Sequence, residues 1–426
     1  MDDAAPINYT VPAPAEIRAV LDRMLGYLES VTERRFVDRN TGAPVTDLSS
    51  PQDVLFAPLP GGRTVWIYEF GVINGALIRA TEASGDPRYL DYVKRNHAFA
   101  FAHLDDLRRC NARFGWRRER LRGFLAPESL DDCGALGLAL IRLQPHLGAA
   151  SPPQRAVIDL IADYVSHRQF RLGDGTLART FTQPETLWAD DLYMSVPFLA
   201  EMGRLTGERR YWDDAVRQVR QSAARLFDEQ RGLFEHAWFA NQADNPRFFW
   251  GRSAGWAFVA MAELLSVLPE DYHGRDEVLR LFQRNARGVL ECQDGGGLWH
   301  QLLDRENTYL ETSCSAMFAF ALARGVNRGW LHPSYATAAQ VAWRALETRV
   351  TPEGRTDGVC PGTGIGLEAA FYANRAPYAH AFHGYGPIFL AGVELIELQQ
   401  HFTIERTEGT FYYRPRPAAG SEKKFP

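Results

Sequence analysis

The chain is predicted to be all-α, a single (α/α)6 barrel in which six helical hairpins close into a toroid. Three observations lead there. Amphipathic helix recurs along nearly the whole length, with apolar residues at three- and four-residue spacings. Two helix-to-helix junctions repeat one another, TEASGDPRYLDYV at 81–93 and GRLTGERRYWDDAV at 203–216. A second kind of connection also recurs, as GDGTLART, RGLFEHAW and GGGLWHQL, each with glycine a residue or two before an apolar stretch. A helix pair repeated about six times closes on itself, and turns of one kind gathered at one end line a bowl.

In chain order, helices are expected to begin near Pro14, Tyr68, Pro87, Leu130, Pro152 and Asp191. In the second half they begin near Arg210, Arg252, Gly274, Tyr309, Pro333 and Ala381. Gly85 and Gly207 fall where a helix ends in a left-handed residue. Few strands are evident beyond short turns. No long linker, charge block or low-complexity tract interrupts residues 15–402, which are read as the barrel. Residues 1–14 are an N-terminal extension. Residues 403–426, with FYYRPRPAAGSEKKFP at their end, are a surface strap and then a loose tail.

Composition narrows the function. The 426 residues are 46% hydrophobic, ample for a large core, and the formal net charge is −5 with no basic tract. Nucleic acid is therefore not the expected partner. No apolar run reaches the roughly 18 residues of a membrane span. The opening MDDAAPINYTVPAPAEI lacks a basic region followed by an apolar one, so no signal peptide is visible. Five cysteines, odd in number and without CxxC spacing, predict reduced thiols, a cytoplasmic protein and no structural zinc. A mature periplasmic protein supplied without its leader reads the same way. Aromatic residues make up 12%, enough either for core filling or for the stacking walls of a carbohydrate site.

LWADDLYM (187–194) sets Asp190 and Asp191 in an apolar and aromatic run that includes Trp188 and Met194. Helix capping is the plain explanation. If one helix begins here, however, Asp190 leads the stripe Met194, Phe198, Met202, and Asp191 leads Ser195. A carboxyl against apolar walls has a raised pKa and holds a proton near neutrality, as a general acid must. SLDDCGALGLAL (129–140) repeats the pattern with Asp131 and Asp132, again open to capping. In a ring of helices, two such pairs place carboxylates across one bowl, a common arrangement for glycosidic chemistry.

His236 in FEHAW sits between aromatics, where a satisfied core histidine is the commoner outcome. In FFWGRSAGWAF, Trp250, Arg252 and Trp256 surround a turn with Ser253 near the helix cap. Two packed tryptophans at a helix start explain this stretch as well as a cation flanked by stacking planes does, the latter suited to a ring bearing a carboxylate. The phosphate-binding GxxxxGK[ST], the zinc helix HExxH and the nucleophile elbow GxSxG are all absent.

Taken in order, LDDCGALG, LWADDLYM, LFEHAW, FWGRSAGW, CQDGGGLWHQLLD, YLETSCSAMFAFALARGVNRGWL and HGYGP resemble the unsaturated rhamnogalacturonyl hydrolases, glycoside hydrolase family 105. The resemblance runs from VWIYEFGVINGAL to HGYGPIFLAGVEL. It implies an (α/α)6 barrel, no metal or organic cofactor, and an unsaturated oligosaccharide as substrate. The implied reaction removes the 4,5-unsaturated uronic acid that a polysaccharide lyase leaves at a non-reducing end. It proceeds by protonation of the vinyl ether at C4 and delivery of water to C5.

Residue by residue, the resemblance makes Asp190 the acid/base and gives Asp131 a part in holding sugar or water, with Asp132 the alternate. It places His236, Trp188, Met194, Trp250, Arg252 and Trp256 against the substrate, and Tyr68 as an aromatic of the bowl. Arg179 and Thr180 stand where relatives carry His-Lys, so Arg179 is a candidate for the uronate carboxylate alongside Arg252. His300 replaces an aromatic of some relatives. Both departures bear on which sugar is taken, and an unsaturated glucuronyl or ulvan-type activity stays open. So do another (α/α)6 activity, such as a sugar epimerase or polysaccharide lyase, and a non-catalytic glycan-binding toroid.

Overall fold

The structure, a computed structural model, describes residues 8–416 apart from 63–65, 117–121, 149–150, 182, 244 and 379–380. Twelve helices build the barrel. Six are amphipathic and form the outer layer: α1 (Pro14–Val31), α3 (Pro87–Ala102), α5 (Pro152–Asp163), α7 (Arg209–Leu226), α9 (Arg275–Glu291) and α11 (Tyr335–Leu346). Six alternate with these and form the inner ring: α2 (Tyr68–Ser84), α4 (Leu130–Leu143), α6 (Val196–Thr206), α8 (Gly251–Val267), α10 (Thr312–Asn327) and α12 (Tyr385–His401). Each inner helix packs on the next, and α12 packs on α2, so the ring is closed.

The division follows from sequence. RDEVLRLFQRNARGVLE of α9 carries charge on one side and buries only Val278, Phe282, Ala286 and their neighbours. CSAMFAFALARGV in α10 is buried on every side, because an inner helix touches both ring neighbours and its outer partner. The tight junctions at Gly85 and Gly207 are left-handed C-caps, with φ of 72° and 74°. Gly175, Gly232 and Gly297 of the recurring turns also have positive φ. The helix Leu104–Phe114 and the short helices Arg122–Leu125 and Ala369–Ala373 have no counterpart in the expected list.

The strands are short and lie in the connections. The segment expected as a proline-rich strap is instead a β-hairpin, Phe402–Thr407 against Thr410–Pro415. It is anchored by the Tyr413 hydroxyl on Thr337 and Gln340 of α11. The tail at 417–426 lies outside the described residues. All five cysteines are free thiols. Among the described residues, no helix is long and apolar enough to cross a membrane.

Two features tie the ring together away from the bowl. At the C-terminal ends of the inner helices, Arg142 of α4 bonds Glu201 of α6 at 3.2 Å and also Glu263 of α8. Arg324 of α10 bonds Glu394 of α12 and Ser266 of α8, and Arg79 of α2 bonds Glu397 of α12 at 3.0 Å. The second feature is the seam where the first and last helices meet. There Gln399 donates to the Pro12 carbonyl at 2.8 Å, and Arg344 donates to the carbonyls of Thr10 and Val11.

Candidate active site

The inner helices present their N-terminal turns to one end of the barrel, around a cavity of about 540 Å³. Converging helix N-termini bring unpaired N–H groups and the positive ends of the helix dipoles to one place, which favours an anionic ligand.

Strand Thr186–Trp188 pairs with Ala237–Phe239 and delivers the chain to a single helical turn, Asp190–Tyr193. The expected continuous helix through Met194, Phe198 and Met202 is broken here, and α6 restarts at Val196. Pro197 is the cause, since a continuous helix needs an N–H at that position to reach the Tyr193 carbonyl. The turn is held against α4 by close backbone approach: a Cβ on Gly134 would lie 1.8 Å from the Met194 carbonyl oxygen. Asp131, one turn earlier on α4, is thereby fixed beside it.

Asp190 is buried, and its Oδ2 accepts a 2.6 Å hydrogen bond from the Ser253 hydroxyl. Burial pushes its carboxyl up to about 6, against the hydrogen bond from Ser253 and the charge of Arg179. Behind it, His236 Nε2 stands 3.6 Å from Oδ2. Burial, then Arg179 and Arg252, hold the imidazole down to about 3, so the ring is neutral and this contact is not an ion pair. The Tyr372 hydroxyl accepts from the Gly366 amide at 3.1 Å and lies 2.7 Å from His236 Nδ1. With one acceptor site taken by Gly366, the hydroxyl proton is free to go to Nδ1, an arrangement that leaves the histidine proton on Nε2, facing Asp190.

The two candidate cations differ in how their charge is met. Arg179 stacks on Trp188 at 3.9 Å and bonds two carboxylates, Asp131 at 3.0 Å and 3.2 Å and Asp191 at 2.6 Å and 3.0 Å. Its charge is already met. Arg252 is held by the backbone carbonyls of Cys360 and Pro361 and sits 4.9 Å over the Trp250 ring. Among the described residues, no carboxylate lies within ion-pair distance of it. Glu311, fully buried at the start of α10, fixes that loop by accepting from the Cys360 amide at 2.9 Å and the Cys314 amide at 2.7 Å.

Tyr68, Asp131, Arg179, Trp188, Asp190, Met194, Trp250, Arg252 and Trp256 all line this one cavity. Asp132 does not. Its Oδ2 accepts from the amides of Glu128 and Ser129 at 3.0 Å each, a capping box with Ser129 that uses up the carboxylate. His236 lies one layer beneath the lining. His300 is turned to the Thr308 carbonyl and is not part of the wall. Asp191, expected as helix support, makes no cap and instead neutralises Arg179. Sequence reasoning gave Ser253 only a capping role and missed Tyr372 and the wall at Gly362, Thr363, Gly364 and Ile365. The glycines of PGTGIG mark a loop, but nothing in them shows which cavity it borders. Among the described residues, no group of three His, Cys, Asp or Glu is arranged to hold a metal ion.

A buried carboxyl able to hold a proton, set among tryptophans at one end of a six-hairpin ring, is an arrangement suited to a glycosidase. The sequence profile of glycosyl hydrolase family 88 matches residues 56–399, and the chain belongs to that family. It is 29% identical to an unsaturated rhamnogalacturonyl hydrolase of Bacillus subtilis over 320 residues, 74% of this chain and 84% of that one. It is 31% identical over 225 residues to an unsaturated 3S-rhamnoglycuronyl hydrolase of Formosa agariphila, 50% of this chain and 58% of that one. The crystal structure of a possible member of the GH105 family from Salmonella enterica shares the fold, with a TM-score of 0.74. That match has 21% identity and covers 92% of this chain and 96% of the other.

Proposed function

We propose that this enzyme removes a 4,5-unsaturated uronic acid from the non-reducing end of lyase-generated oligosaccharides, with unsaturated rhamnogalacturonan-type fragments, the disaccharide the smallest of them, the foremost substrates. The observation that carries the reading is Asp190, a buried carboxyl held near pH 6 at the cavity wall, with neutral His236 behind it. Both named relatives are hydrolases of unsaturated rhamnose-containing glycuronyl compounds by name, which points the same way.

In this reading Arg252 takes the uronate carboxylate, because no acid among the described residues pairs with it, while Arg179 holds Asp131 and Asp191 in place. Asp190 gives its proton to C4, and the positive charge that develops is shared by C5 and the ring oxygen. Water adds at C5 and returns a proton to Asp190, so the acid is regenerated. The C5 hemiketal opens to a ketone, and the hemiacetal left at C1 collapses and releases the aglycone. One water is consumed and no redox partner is needed. Asp131, paired with Arg179, orients sugar or water.

The test follows the absorbance of the C4–C5 double bond with unsaturated disaccharides from rhamnogalacturonan, ulvan and glucuronan. Absorbance is expected to fall with the first most rapidly, and persistence with all three ends the proposal. Asp190→Asn should lower kcat by about a thousandfold with unchanged far-ultraviolet circular dichroism.

A further inference from the structure

We propose that the bowl continues sideways into a second subsite region that holds the sugars beyond the scissile linkage, making oligosaccharides longer than a disaccharide the preferred substrates. A trough of about 600 Å³ lies along the rim, lined by Tyr164, Arg168, Phe170, Thr180 and Phe181 among others. Phe181 lines both this trough and the active-site cavity, so the two are neighbours across one side chain. Its position two residues after Arg179 puts the trough on the segment that enters the site.

The chemistry of the trough suits a sugar chain. Phe170 and Phe181 are 36% and 44% exposed, although large apolar side chains elsewhere in this chain are overwhelmingly buried. Single exposed aromatics are ordinary; two in one concave strip beside a glycosidase cavity form a platform for the C–H faces of sugar rings. Arg168, 5.4 Å over the Tyr164 ring, reaches the same trough. It shares its charge with Asp163 at 2.9 Å, where both side chains are solvent-exposed, so the pair is weak and open to exchange for a uronate. The occupant is therefore the continuing chain of an unsaturated uronyl oligosaccharide, with a further uronic acid near Arg168. This rests on the function proposed above.

The experiment compares kcat/KM for an unsaturated rhamnogalacturonan disaccharide and tetrasaccharide, and binding of both to Asp190→Asn by calorimetry. The wild-type enzyme should favour the tetrasaccharide by about tenfold. Phe170→Ala and Arg168→Ala should each bring that ratio toward one while leaving disaccharide turnover unchanged, which also shows that the variants fold. A ratio near one in the wild type, or a ratio that both variants preserve, overturns the trough while disaccharide turnover keeps the proposed function standing. Absence of turnover and binding with both compounds overturns the two together.

Discussion

A carboxyl raised by burial serves chemistry at the expense of stability. Asp190 has a folded-state pKa of about 6 against 3.8 for the free side chain. The stability it allows is therefore complete below pH 3.8 and is lost as the pH rises through 6. Asp190→Asn, which keeps an acceptor for Ser253, should stabilise the protein at pH 8 by up to ~3 kcal/mol and by nothing at pH 3.5. Denaturant unfolding at the two pH values measures this, and equal effects at both would refute it. In the proposed reaction the same carboxyl must be protonated, so kcat/KM should fall about tenfold per pH unit above pH 7. Tyr372→Phe keeps the ring but frees His236 to carry its proton on Nδ1, which turns a lone pair toward Asp190. That change favours the protonated carboxyl, so the alkaline limb should move to higher pH and kcat should fall about tenfold or more. A limb that stays in place would show Tyr372 to be packing alone.

At the scale of elements, the site depends on how closely α4 approaches the Asp190–Tyr193 turn. Gly134→Ala puts a methyl into the Met194 carbonyl and should cost about 3 kcal/mol or more, read as a fall in Tm, because neither backbone can yield. The helices were legible because inner and outer positions leave different hydrophobic patterns, and glycine caps mark the junctions. Asp190 was legible because a carboxyl among apolar neighbours is an anomaly at any distance from its partners. Strand Thr186–Trp188 was not, since three residues are too few for an alternating pattern to emerge. Nor was the choice between Asp131 and Asp132: both stand in the first turn, and only the capping box with Ser129 separates them. Tyr372 meets His236 across 136 residues of sequence, and no local signal announces such a contact.

For the whole molecule, the end opposite the bowl carries its own demands. Burial works against the charge of Glu263, but Arg142 first and then Arg324 outweigh it and hold the carboxyl down to about 2. Arg142→Leu strands Glu263 and removes a link between α4, α6 and α8, at a cost of about 3–5 kcal/mol. Because Arg142 is at the far end of α4 from Asp131, kcat/KM measured well below the Tm should stay within about twofold. A large loss of activity in a folded Arg142→Leu protein would mean that the two ends are coupled.

The seam gives the barrel a closure of a different kind from its core, made by side chains that reach backbone carbonyls. A hoop is only as closed as its clasp, and here Arg344 of α11 and Gln399 of α12 hold residues 10–12 in place. Removing residues 1–12 should therefore lower Tm, because Arg344 and Gln399 lose the carbonyls they bond.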